Sequence, residues 1–87
     1  MKIIFIGAIW CPSCLIMKSR IRKLMQAYPD VVLEEFDLDA DARECERFAV
    51  GKILPLVLLA SASGEITRSE GERSKQELIR MIEESRR

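Results

Sequence analysis

Cys11 and Cys14, two residues apart in "WCPSC", are the side chains of this sequence best suited to chemistry. They stand between an apolar run and a segment with helical periodicity. A cysteine at the first turn of a helix faces unpaired backbone N–H groups and the positive end of the helix dipole, which favour thiolate over thiol. A second cysteine one turn later lies on the same side, near enough to bond the first. On this reading Cys11 is the exposed nucleophile and Cys14 the more buried thiol that resolves a mixed disulfide. Pro12 stiffens the turn and removes one N–H, and Trp10 packs beside the sulfurs and shields them.

The same pair could serve as a metal clamp or a structural bridge. Structural zinc takes four Cys or His ligands. The chain has no His and only one further cysteine, Cys45, so no metal site within one chain is expected. A metal or iron–sulfur cluster shared between two chains stays open. Cys45 reads as a small core residue of a second helix.

Composition bounds the setting. With 87 residues, 48% apolar and 32% charged, the chain is expected to form one soluble globular domain over residues 1–87. Lys plus Arg equals Asp plus Glu at 14 each, which gives no global field for nucleic acid. "MKIIFIGAIW" leads directly into the cysteines, so it reads as a buried strand rather than a cleaved leader. No stretch approaches the length that crosses a membrane. A cytoplasmic location is therefore expected, and there a cysteine pair is reactive or metal-binding more often than structural.

The pair needs a scaffold, and the pattern predicts one. Lys2 to Ala8 is a continuous apolar run that predicts a central strand buried on both faces. Cys14, Met17, Ile21, Leu24, Met25 and Tyr28 recur at three- and four-residue steps and make one helical stripe. Pro12 fits the first turn of that helix, and Pro29-Asp30 ends it. Val31 to Asp39 predicts a second, less buried strand. "DADARECERFAV" predicts a short second helix, capped by Asp39 or Asp41 and closed by Gly51. Ile53 to Ala60 is a third apolar strand, whose Pro55 must sit at its start or at an edge. "SASGE" is a tight turn and Glu65 to Ser69 its antiparallel partner. Ser74 with Glu77 forms a capping box before a last helix that turns Leu78, Ile79 and Ile82 inward. The order β-α-β-α-β-β-α predicts an α/β fold, a four-stranded mixed sheet with helices on both faces.

These motifs resemble those of the thioredoxin family over nearly the whole chain. The carriers are "WCPSC", "ILPLVLL", "SGEI" and "EGERSKQEL". A cis-proline follows the first cysteine of thioredoxins by 44 positions, which is the separation of Pro55 from Cys11. The resemblance implies a thioredoxin-like fold with Pro55 cis and packed against the cysteines. It implies that Leu54 offers its backbone to an extended substrate segment, by strand addition. Trp10, Pro12, Ser13 and Gly71 would complete that binding surface.

The departures matter as much. The family's usual first strand and helix find no match, which leaves a chain of glutaredoxin size. Thioredoxins usually carry a buried Asp six residues before the first cysteine, where it assists proton transfer to the second thiol; Phe5 stands there. The matching Lys on the neighbouring strand is Glu35, which becomes the candidate proton acceptor.

The resemblance thus implies a thiol–disulfide oxidoreductase that reduces protein disulfides without a cofactor. Its partners would be those disulfides and a reductase or dithiol donor, and the chain would act as a monomer. One alternative is a glutaredoxin-like, glutathione-dependent reductase. "CPSC" and the short length support it, but "SEGERS" stands where a Gly-Gly-Asp segment is expected. The other is a non-catalytic, redox-switched binding partner.

Overall fold

The apolar run near the N-terminus becomes an inner strand. In the computed structural model, which describes residues 1–86, β1 (Lys2–Gly7) lies between two neighbours. It pairs in parallel with β2 (Val32–Asp37), from Lys2 opposite Val32 to Gly7 opposite Asp37. Its other edge runs antiparallel to β3 (Leu56–Ala60), which pairs in turn with β4 (Ile66–Glu70). The strand order β2-β1-β3-β4 is the expected mixed sheet, and α1 (Pro12–Leu24), α2 (Ala42–Cys45) and α3 (Lys75–Ser85) pack on it.

Alternation along β1 divides its side chains between two cores. Ile3 and Phe5, with Val57 and Leu59, meet Cys14, Met17, Ile21 and Leu24 of α1 and Leu78 and Ile82 of α3. Ile6, Leu56, Leu58 and Cys45 form a smaller cluster on the opposite face, rimmed by Ile4, Phe36, Leu38, Phe48 and Val50. Helices therefore lie on both faces, as the alternation of strands and helices predicts.

The element ends shift where local geometry competes with pattern. The apolar stripe of α1 runs on past Leu24, but the backbone tightens into a 3-10 turn over Met25–Ala27 before Pro29. α2 is one turn, continued by a 3-10 turn over Glu46–Phe48. Asp41 occupies its N-cap position without a side-chain cap bond, because Asp41 Oδ2 accepts the Asp37 N–H at 2.8 Å instead. The turn is closed by Ala49 at φ 50°, not by Gly51. Arg68 donates to the carbonyls of Phe48 and Ala49, at 2.9 Å each, and so holds that left-handed residue in place. β3 begins at Leu56, directly after Pro55, so the proline lies outside the ladder. Ser74 and Glu77 make the reciprocal capping box that starts α3.

Candidate active site

β1 delivers the chain to the helix that carries both thiols. Cys11 is the N-cap of α1, extended at φ −107° and ψ 107°, and its Sγ accepts the Cys14 N–H at 3.3 Å. Pro12 follows in the first turn, where its missing N–H leaves nothing unpaired. Cys11 is half-buried, whereas Cys14 is 2% exposed; both are free thiols. Burial pushes the Cys14 thiol up to about 11, and the adjacent Cys11 and the charge of Asp37 push the same way. At neutral pH Cys14 is therefore protonated, so it is not the thiol that opens a reaction.

The helix can come this close because residue 7 has no side chain. A Cβ on Gly7 would lie 2.9 Å from Phe5 Cε1, 3.0 Å from Cys14 Cβ and 3.2 Å from Cys14 Sγ. Gly7 is a requirement of space, since real Cβ atoms keep farther away.

The second wall comes from the approach to β3. The Leu54–Pro55 peptide is cis, and Pro55 is fully buried. Its carbonyl accepts the Gly71 N–H at 2.9 Å, which ties the end of β4 to the start of β3. Gly71 sits at φ 91°, a region that favours glycine, and faces Ile53. Leu54 is half-buried and packs on the same core as Cys11 and Cys14. Ser13 is half-buried and Pro12 exposed in the first turn of α1. Trp10 is 62% exposed, and its indole N–H donates to Asp39 Oδ2 at 2.7 Å, so the ring is anchored outward to the loop after β2. Ile9 and Ile53 are also exposed.

The structure separates two carboxylates on β2. Glu35 lies opposite Phe5 in register, but its carboxylate closes on Arg22. Arg22 Nε donates to Oε2 at 2.8 Å, and a terminal guanidinium nitrogen donates to Oε1 at 2.7 Å. That fork holds Glu35 below the ordinary carboxylate range. Asp37, two residues on, lies opposite Gly7 and shares a cavity of about 30 Å³ with Cys14, Phe5, Gly7 and Lys18. Its Oδ1 accepts the N–H groups of Ala40 and Asp39, at 2.9 Å each. These bonds, with the charge of Lys18, keep it ionised below the usual range. Composition gave no sign of Asp37. The parallel register would have found it, because the residue opposite the end of β1 must face the start of α1.

Cys45 lies on the opposite face of the sheet, 3% exposed, with its Sγ 3.8 Å from the Asp37 carbonyl. Among the described residues no group of three or more Cys, Asp or Glu is arranged to hold a metal ion.

A free dithiol at a helix N-terminus, on a mixed sheet whose third strand follows a cis-proline, defines a thiol–disulfide exchange protein of the α/β class. The thioredoxin family model matches residues 2–84. Thioredoxin of Chlamydia muridarum is 32% identical over 73 residues, which cover 84% of this chain and 71% of that protein. The crystal structure of oxidized mitochondrial thioredoxin 3 from Saccharomyces cerevisiae superposes with a TM-score of 0.81 at 28% identity, covering 95% of this chain and 76% of that one. Thioredoxin 1 from Thermosipho africanus superposes with a TM-score of 0.82 at 25% identity, covering 97% of this chain and 92% of that one. The chain belongs to the thioredoxin family and is a thiol–disulfide oxidoreductase. Protein disulfides are its general class of substrate, and no described helix is long and apolar enough to cross a membrane.

Proposed function

We propose that the protein reduces protein disulfides by attack of Cys11 and resolution by Cys14. The observation that carries this reading is the asymmetry of the two sulfurs. Cys11 Sγ is accessible at the helix N-cap, and Cys14 is buried behind it and protonated. The Cys11 thiolate attacks one sulfur of a substrate disulfide; that S–S bond breaks, and one substrate thiolate leaves. The Cys14 sulfur then attacks Cys11 Sγ and releases the second substrate thiolate. The substrate gains two electrons, and the new Cys11–Cys14 disulfide is reopened by a reductase or dithiol donor.

The rim of Ile9, Trp10 and Ile53, with Pro12, Ser13 and Gly71 beside it, would seat an apolar extended segment against the Leu54 backbone. Pro55 would hold that backbone in place from below. We take the chain to work as one monomeric domain in the cytoplasm, without a resident cofactor.

The test is turnover of a model protein disulfide with dithiothreitol as donor, beside a glutathione-coupled assay. Cys11→Ser should lose all exchange, and Cys14→Ser should accumulate a stable mixed disulfide. Full activity in both variants would overturn the scheme. Turnover only with glutathione would move the protein to the glutaredoxin-like class, and turnover in neither assay to a binding role.

A further inference from the structure

We infer that Asp37 is the proton acceptor for Cys14 in the resolving step, through the small cavity that both residues line. The inference rests on the exchange scheme proposed above. That scheme leaves one problem, because Cys14 is protonated and must lose its proton to attack. Phe5 offers no acceptor, and the Glu35 carboxylate is engaged by both nitrogens of the Arg22 fork. Asp37 lines the same cavity of about 30 Å³ as Cys14, which is room for one water. The bare Cα of Gly7 keeps that space open, since a Cβ would stand 3.2 Å from Cys14 Sγ.

The groups around Asp37 come from every element packed on it. α1 contributes Cys14 and Lys18, and β2 contributes Glu35. The loop and turn that follow contribute Asp39, Asp41 and Cys45. The Ala40 and Asp39 N–H bonds chiefly keep Asp37 ionised, and Lys18 is the one cation among these groups that adds to them. Two N–H groups fix Oδ1, so the carboxylate is positioned before the step begins.

In the step, the Cys14 S–H proton passes to water and from water to the Asp37 carboxylate. The sulfur attacks Cys11 Sγ as the bond from Cys11 to substrate breaks. The departing substrate thiolate takes up the proton that Asp37 returns through solvent. No oxidant beyond the substrate disulfide is consumed. A carboxylate this acidic holds the proton only transiently, which keeps its gain over bulk hydroxide at the low end for a general base.

Ellman's reagent separates the two steps on the full-length chain. Attack by Cys11 releases one thionitrobenzoate, and resolution by Cys14 releases a second. Asp37→Asn keeps an Oδ1 acceptor for the Asp39 and Ala40 N–H groups, so the turn should hold. Its first release should match the unaltered protein. Its second should slow about 100-fold, within the range of a positioned general base. That second rate should also rise tenfold per pH unit, whereas the unaltered protein should be flat through neutral pH. Asp37→Glu should recover part of the rate, and Lys18→Met should move the acid limb of the profile to higher pH. A second release in Asp37→Asn with unchanged rate and flat profile would overturn this inference alone. Absence of the first release from the unaltered protein would instead overturn the exchange scheme, and the inference with it.

Discussion

Each face of the sheet carries one buried cysteine, and the two side chains are almost equally hidden, at 2% for Cys14 and 3% for Cys45. Burial pushes both thiols up. Their surroundings then diverge. Cys14 has a second thiol at the helix N-terminus beside it and a water-sized cavity that Asp37 also lines. Cys45 has the Asp37 carbonyl at its sulfur and the acids Asp41 and Glu44 nearby, all of which oppose a thiolate. Burial by itself makes a thiol inert; a redox thiol also needs a partner and a route for its proton. The packing differs in the same sense. α1 and α3 cover the Cys14 face with a deep core and leave a groove of about 800 Å³ along their outer sides, whereas on the Cys45 face a groove of about 570 Å³ reaches Ile4, Leu58 and Ile66 beside the smaller cluster. The site is thus mounted on the thicker half of the molecule.

That asymmetry can be broken most directly in the cores. Phe5→Ala should cost about 3–5 kcal/mol, a large part of the ~5–15 kcal/mol that holds a domain together. Leu58→Ala, beside the open groove, should cost about 2 kcal/mol, the low end for such a change. Urea unfolding at constant m-value compares them, and an equal loss would mean that the two faces support the fold alike. Gly7→Ala comes next, at about 1–3 kcal/mol, because the added methyl meets Phe5 and Cys14 in a full space. A thermal melt should show a drop of about 5–15 °C, and turnover should fall with it as α1 is pushed off the strand. Cys45→Ala should cost about 1 kcal/mol and leave turnover intact, whereas Cys14→Ala should end turnover. If Cys45→Ala stops turnover as well, the division of roles between the two faces fails.

Much of this was legible because the relevant signals are periodic or local. Ile3 to Ile6 read as a two-sided strand, Met17 to Leu24 as a stripe, and Ser74 with Glu77 as a cap, and each is decided within a few residues of itself. The cysteine pair and Pro55 were legible as a motif and its separation. What escaped depends on contacts between distant segments. Gly51 is the better helix stop by type, yet Ala49 takes the left-handed turn, because Arg68 of β4 reaches both carbonyls there. Glu35 looked available as an acid because nothing local shows that Arg22, thirteen residues earlier, closes on it. Asp37 came into view only with the register of β1 on β2, which sets it opposite Gly7.

Those two arginines supply the smallest and sharpest contrast between the faces. Arg22 forks onto a group that titrates, whereas Arg68 bonds to two carbonyls that do not and keeps only a longer contact, 3.7 Å, with the Glu70 carboxylate. The folded protein holds Glu35 below its ordinary value, chiefly through the Arg22 fork. A depressed folded pKa stabilises fully above the unfolded value of about 4.3, and the benefit is lost as pH falls through the folded value. Arg22→Ala should therefore lower the melting temperature modestly at neutral pH, and the deficit should shrink toward pH ~3 and in high salt. Arg68→Ala should show a deficit that changes less over the same range, since its two carbonyl acceptors keep their bonds at every pH and only the longer contact with Glu70 titrates. A deficit in Arg22→Ala that persists at low pH would mean that the arginine acts through the packing of its stem and not through its charge. The exclusion of Glu35 as proton acceptor would then rest on the fork's geometry alone, and Glu35→Gln in the same two-release assay should leave the second release unchanged.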